Sequence, residues 1–167
     1  MSFLDYFKYR KYEYFKKENI IYFILIITTF LFDRYSKLNI INNFNENTYY
    51  VNDFINFDLI WNSGIGFGFF KSANTLIYNS ITLLIGTVIV GLFYFSFKSK
   101  NFDKYTFGII IGGALGNFYD RIIYKSVPDF IDIHYNNFHW FTFNVADIFI
   151  SIGIILFLLL GGTSKIK

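Results

Sequence analysis

Carboxylates that stand inside or beside apolar runs are the groups of this 167-residue chain most able to do chemistry. Asp147 begins an apolar stretch that lasts to about Gly162, while Asp33 and Asp120 lie where two other apolar runs end. An acid at membrane depth is costly and therefore usually functional. Two carboxylates held close together share a proton and can act as general base and general acid on a water that attacks an amide. The acids therefore indicate either an aspartic protease or a non-enzymatic membrane carrier that uses them as relay or ligand groups.

Other reactive groups form weaker patterns. The chain has no cysteine, which removes disulfides, thiol nucleophiles and thiolate metal sites. Ser63 has no obvious base beside it, and Ser36 would point away from Lys37 on a helix. The alternating glycines of residues 62–68 lack the strand-to-helix context of a nucleotide-binding loop. We interpret them as a Gly-rich turn that lets the backbone approach a bound chain, with a plain loop as the alternative.

Two histidines lie close to two acids in a single segment. His134 and His139 follow Asp129 and Asp132, so a metal site is conceivable. The spacing matches no established ligand motif, however, and interfacial or structural histidines are more common. We therefore assign no metal ligand from the sequence.

Helical spacing places several polar side chains on shared faces. The groups are Asp33 with Lys37, Asn117 with Asp120 and Arg121, and Asn144 with Asp147. An acid and a base four residues apart can pair, which lowers the cost of placing both in lipid. A snorkelling interfacial pair and a structural polar clasp are the alternatives, and spacing alone does not decide which acid is the partner of Asp147.

The composition is that of an integral membrane protein. The chain is 54% hydrophobic, 24% aromatic and only 16% charged, too apolar for an ordinary soluble domain of this size. Apolar runs measured against the ~20 residues needed to cross a bilayer give four spans. The spans are about 19–38, 72–97, 105–124 and 143–162. Glycines at every fourth position of the third span predict close packing against a neighbouring helix: Gly108, Gly112 and Gly116.

The distribution of lysine and arginine predicts the orientation. Ten of these residues fall on one side of a four-span chain and five on the other, and the richer side is expected to be cytoplasmic. Both termini are then cytoplasmic, Asp33, Asp120 and Asp147 lie near the outer face, and residues 39–71 and 125–142 are extracytoplasmic. Residues 54–61 alternate enough to predict a short strand or hairpin. Residues 1–18 suit an interfacial helix or a basic tail. One membrane domain accounts for residues 1–167, and the net charge of +3 is too small to indicate nucleic acid binding.

Five sequence blocks resemble a known family. They are 33–37 (DRYSK), 62–68 (NSGIGFG), 112–121 (GGALGNFYDR), 127–130 (VPDF) and 143–147 (FNVAD). Blocks like these occur in the same order in bacterial lipoprotein signal peptidase, also called signal peptidase II, and the similarity extends from about Asp33 to Gly153. It implies an all-α polytopic membrane protein of the bacterial cytoplasmic membrane, with four transmembrane helices and a small extracytoplasmic β-sheet.

The resemblance also implies an activity and a set of site residues. Members of the family are aspartic endopeptidases that remove the signal peptide from diacylglyceryl-modified prolipoproteins, on the amino side of the lipidated cysteine. The catalytic pair of the family matches Asp129 and Asp147. Substrate-binding or supporting positions match Asp33, Lys37, Asn62, Gly64, Asn117, Asp120, Arg121 and Asn144.

The family's partners and its usual residues complete the expectation. The expected partners are the prolipoprotein, membrane lipid and a cyclic peptide inhibitor of the globomycin type, with neither a metal nor an organic cofactor. Arg34 stands where the family commonly has glutamine, Gly66 where it has alanine, and Pro128 where an aliphatic residue is frequent.

Overall fold

The computed structural model describes residues 16–44, 48–64, 75–99, 101–136 and 138–160. Within these ranges the chain forms four helices and four strands. The helices are α1 (Lys17–Asn43), α2 (Thr75–Lys98), α3 (Asn101–Ile123) and α4 (Val145–Leu160). The strands are β1 (Tyr49–Asn52), β2 (Ile55–Asn62), β3 (Val127–Tyr135) and β4 (Phe138–Phe143). Most of the predicted N-terminal segment, Gly66 and the tail after Leu160 lie outside the described residues.

A helix coincides with each of the four predicted spans. Helix α1 continues to Asn43, beyond the predicted end near residue 38. The side-chain amide of Asn43 donates to the carbonyl oxygen of Asn39 at 2.9 Å, and the N–H of Phe44 donates to Ile40, so the polar end of the helix keeps its carbonyl groups bonded. In the described part of the chain, α1 and α2 are long and apolar enough to cross a membrane by length and composition alone, and α4 is a shorter apolar helix.

Helix α3 packs against the other three helices, and its glycines allow the closest approaches. The predicted stripe faces α1, where Gly108 lies against Tyr22, Gly112 against Thr29 and Gly116 against Asp33. A β-carbon at position 112 would come within 2.7 Å of the carbonyl oxygen of Ile26. The stripe therefore brings the polar residues of α1 and α3 into direct contact.

The strands form one antiparallel sheet in the order β1-β2-β3-β4. The strand predicted at residues 54–61 is β2, and β1 pairs with it as a hairpin. Pro128 pairs with Trp61 of β2, whereas pairing of β3 with β4 begins only at Ile131. At Pro128 the strand is therefore paired on one side only, which is where a sheet tolerates a residue without an N–H.

The strands β2, β3 and β4 have one end each beside the ends of the helices. Strand β3 begins shortly after α3, and Asn144 alone separates β4 from α4. Asn62, the last residue of β2, pairs with Val127, the first residue of β3. The blocks that are far apart in the sequence therefore meet at this junction.

Candidate active site

A buried lysine joins α1 to α3. The Nζ atom of Lys37 donates to Asp33 at 2.9 Å, to Asn117 at 2.8 Å and to Asp120 at 2.7 Å. These bonds use all three donors of the ammonium group. Asp120 also pairs with the guanidinium of Arg34, so two acids and two bases neutralise one another in a buried cluster.

The same cluster contacts the start of α4. The second carboxylate oxygen of Asp33 accepts a hydrogen bond from the backbone N–H of Ala146 at 2.9 Å. Asn117 accepts from Lys37 and donates through Nδ2 to Asp147 at 2.8 Å. The charged cluster therefore fixes the orientation of an amide that holds the Asp147 carboxylate.

Asn144 and Asp147 form a reciprocal cap at the first turn of α4. The backbone N–H of Asp147 donates to Oδ1 of Asn144, and the backbone N–H of Asn144 donates to Oδ2 of Asp147, both at 3.2 Å. This arrangement satisfies N–H groups that a helix start leaves unbonded. The three-residue spacing of Asn144 and Asp147 thus allows these bonds, which fix the orientation of the Asp147 side chain.

Asp129 is held by two amides from different elements. Nδ2 of Asn62 donates to one carboxylate oxygen at 2.8 Å, and Nδ2 of Asn144 donates to the other at 2.6 Å. The amide oxygens are already engaged, since Asn62 accepts from the backbone N–H of Gly64 and Asn144 from that of Asp147. Both amides must therefore present their N–H₂ groups to Asp129. Asn144 contacts both acids and connects their positions.

Asp129 and Asp147 line a common cavity of about 190 Å³. Burial of Asp129 and the nearby charge of Asp147 raise the pKa of Asp129 to about 6, against the opposing effect of its two amide donors. A carboxyl group with that pKa can hold or release a proton near neutral pH. The cavity thus contains two acids that can exchange protons with a bound water or substrate.

A larger cavity of about 590 Å³ lies between α2 and α3, and Arg121 lines both cavities. The guanidinium of Arg121 donates to the carbonyl oxygen of Gly64, while its own backbone carbonyl accepts from the Tyr78 hydroxyl at 2.8 Å. The buried Nε and one terminal nitrogen of Arg121 have no partner among the described residues. These N–H groups are available to a ligand that enters between the helices.

The residues expected at the site fall into two connected groups. Around the smaller cavity lie Asp129, Asp147, Asn62, Asn117, Arg121 and Asn144. Asp33, Lys37 and Asp120 lie behind it in the buried cluster, and Gly64 contacts both Asn62 and Arg121. Sequence reasoning missed two contributors. The guanidinium of Arg34 pairs with Asp120, which the spacing had grouped with Arg121, and the N–H of Ala146 has no sequence signal.

Comparisons with known proteins connect this chain to one family. A sequence model of the family described as Signal peptidase (SPase) II matches residues 25–161. The chain is 50% identical over 139 residues to the lipoprotein signal peptidase of Pelagibacter ubique, covering 81% of this chain and 84% of the relative. It is 33% identical over 141 residues to that of Francisella tularensis subsp. novicida, covering 81% and 87%.

A solved structure supports the same assignment. A bacterial membrane enzyme determined at 2.3 Å superposes with a TM-score of 0.68 at 29% identity, covering 87% of this chain and 91% of that one. The predominantly helical fold with a small antiparallel sheet is therefore that of a bacterial membrane enzyme. Since the family match spans most of the chain and the relatives are similar along most of their length, the chain belongs to the signal peptidase II family.

Proposed function

We propose that this chain is an intramembrane aspartic endopeptidase that removes the signal peptide from diacylglyceryl-modified prolipoproteins, on the amino side of the lipidated cysteine. Family membership supports the reaction and the substrate class. The observation that carries the assignment of the catalytic pair is that Asp129 and Asp147 line one cavity and are both bonded to Asn144.

The proposed mechanism is direct attack of water on the scissile amide. One acid of the pair takes a proton from the water, while the other polarises the carbonyl oxygen and then protonates the leaving amine. The proton belongs to the pair, so neither acid is assigned a fixed role. The raised pKa of Asp129 supports this chemistry because it lets one proton stay in the pair near neutral pH.

The larger cavity is proposed to admit the lipid-bearing end of the substrate. Its lining between α2 and α3 is mainly apolar, including Leu83, Val90 and Phe118, and it meets the acid-lined cavity at Arg121. The free N–H groups of Arg121 can then bind a carbonyl of the substrate beside the cysteine. A cyclic peptide inhibitor of the globomycin type is expected to compete for the same space.

We further propose that all four helices cross the cytoplasmic membrane, as one membrane domain with both termini inside and the sheet at the outer face. At 1.5 Å per residue, α1 and α2 are about 40 and 36 Å long, enough to span the hydrocarbon core. Large apolar side chains also point outward, including Leu84 and Leu158, which are 59% and 71% exposed. Lipid is the environment in which such faces are stable.

Separate Asp129→Asn and Asp147→Asn variants test the catalytic pair. A neutral amide cannot exchange the proton that hydrolysis requires, so each variant should lose at least about 100-fold in cleavage rate. The measurement follows processing of a lipidated prolipoprotein by purified protein in detergent or lipid. Asp58→Asn is the matched control, because this acid of β2 lines neither cavity.

Full cleavage by either variant would overturn the assignment of Asp129 and Asp147 as the catalytic pair. Membership of a peptidase family favours hydrolysis over the alternative of a carrier that uses the same acids. Absence of cleavage by a parent protein with a normal unfolding transition would instead favour the carrier.

A further inference from the structure

Two histidines and an acid meet on the face of the sheet opposite Asp129. The register shifts beside β3 add a residue to β2 and to β4 but none to β3 itself, so Asp132 and His134 alternate onto the face that Asp129 does not share. On β4 the register shifts by one residue, and His139 becomes the partner of His134. A regular strand would have placed Trp140 there. The bulge therefore brings together residues whose spacing along the chain matches no metal motif.

The side chains of this cluster converge within ligand distances. Oδ2 of Asp132 lies 2.7 Å from Nδ1 of His139 and 3.5 Å from Nδ1 of His134. One ligand atom from each residue lies within 4.8 Å of the others. A tetrahedral zinc ion with ligands at about 2.1 Å holds its ligand atoms roughly 3.4 Å apart. Small side-chain rotations would therefore bring all three groups to one ion.

His134 provides an independent indication of a ligand. The residue is 8% exposed, and its Nδ1 has no hydrogen-bond partner among the described residues. A buried polar atom without a partner is uncommon, because it loses its bonds to water and gains none. This atom faces the carboxylate of Asp132, which is itself 4% exposed. A bound cation would give this nitrogen a partner and would share the carboxylate of Asp132, which is hydrogen-bonded to His139 at 2.7 Å.

We propose that Asp132, His134 and His139 bind a divalent transition-metal ion of the Zn²⁺ and Cu²⁺ class. Two imidazoles and one carboxylate favour these ions over Mg²⁺ and Ca²⁺, which take mainly oxygen ligands. The ion would join β3 to β4, the two strands that lead to Asp129 and Asn144. It lies on the other face of the sheet from Asp129, so it is a stabilising site separate from the hydrolytic cavity.

Zinc binding to the full chain tests this proposal. The sequence has two histidines and no cysteine, so binding through imidazole reports on this cluster alone. Protein purified without a polyhistidine tag is titrated with Zn²⁺ by calorimetry, and with Mg²⁺ for comparison. One Zn²⁺ should bind per chain, and His139→Ala should weaken binding at least tenfold. The side chain of His139 is 58% exposed, so its removal leaves the fold intact.

Two further variants complete the test. His134→Ala should also weaken Zn²⁺ binding at least tenfold, while Asp58→Asn, which removes a different acid of the sheet, should bind like the parent. Absence of saturable Zn²⁺ binding, or equal affinity in the parent and His139→Ala, would overturn the proposal. Because the measurement is metal binding, failure would leave the proposed peptidase activity unaffected.

Discussion

Opposing effects set the pKa of the Asp129 carboxyl group. Burial and the charge of Asp147 raise its pKa to about 6, whereas the amides of Asn62 and Asn144 stabilise the ionised form. The two amides are locked by their own backbone contacts and cannot turn their oxygens toward the acid. The site is therefore built to accept a carboxylate at this position while keeping its proton available near neutral pH.

Removing the charge of Asp147 should lower the pKa of Asp129. In an Asp147→Asn variant the repulsion between the two acids is absent, so the ionised form of Asp129 becomes easier to reach and the pKa falls below about 6. Carbon-13 NMR of labelled aspartate side chains, followed through a pH titration, measures the change. Asp58→Asn should leave the Asp129 titration where it is. An unchanged or raised pKa in Asp147→Asn would show that the charge of Asp147 does not raise the pKa of Asp129.

At the scale of elements, the contact between α1 and α3 depends on glycine. A β-carbon at position 112 would lie 2.7 Å from the backbone oxygen of Ile26 and from Cβ of Thr29, which is too close for either to remain in place. By contrast, a β-carbon at Gly91 on α2 would meet nothing within 4 Å. The two glycines therefore differ in packing although both lie inside helices.

Gly112→Ala should destabilise the protein by about 1–3 kcal/mol, because α1 and α3 must separate and the bonds of Lys37 lengthen. Gly91→Ala should be neutral or stabilising by up to about 1 kcal/mol, because alanine favours the helix. Thermal unfolding in detergent compares the two variants with the parent. A Gly112→Ala protein that melts at or above the temperature of Gly91→Ala would contradict the packing argument.

The elements also explain how far the sequence could predict the site. Pairs set by helical spacing were predictable, and the structure contains the Asp33 and Lys37 pair and the glycine stripe. Asp129 was not separable from Asp120 by spacing, because its position depends on pairing between β2 and β3, which are distant in sequence. The family resemblance selected Asp129, and its catalytic role stays a prediction. The pairing of His134 with His139 depends on a one-residue bulge in β4, which no local sequence pattern predicts.

At the scale of the whole molecule, the helices and the sheet define two ends. The sheet connects to the ends of α1 and α3 and to the start of α4, so it lies at one end of the bundle. Lys17 at the start of α1, Lys98 at the end of α2 and Lys104 near the start of α3 belong to the opposite end. Because lysines favour the cytoplasmic side, the orientation we propose has the sheet and the acid-lined cavity at the outer face.

Cysteine labelling can test this orientation. The parent chain contains no cysteine, so it gives no background labelling. Asp53→Cys places a thiol in the turn between β1 and β2, and Ser99→Cys places one just after α2. A charged maleimide that cannot cross membranes should label Asp53→Cys in intact spheroplasts, and Ser99→Cys only after the membrane is permeabilised. The reverse pattern would place the sheet in the cytoplasm. Labelling of both thiols in intact spheroplasts would mean that α2 does not separate two compartments, and the four-span arrangement would have to be abandoned.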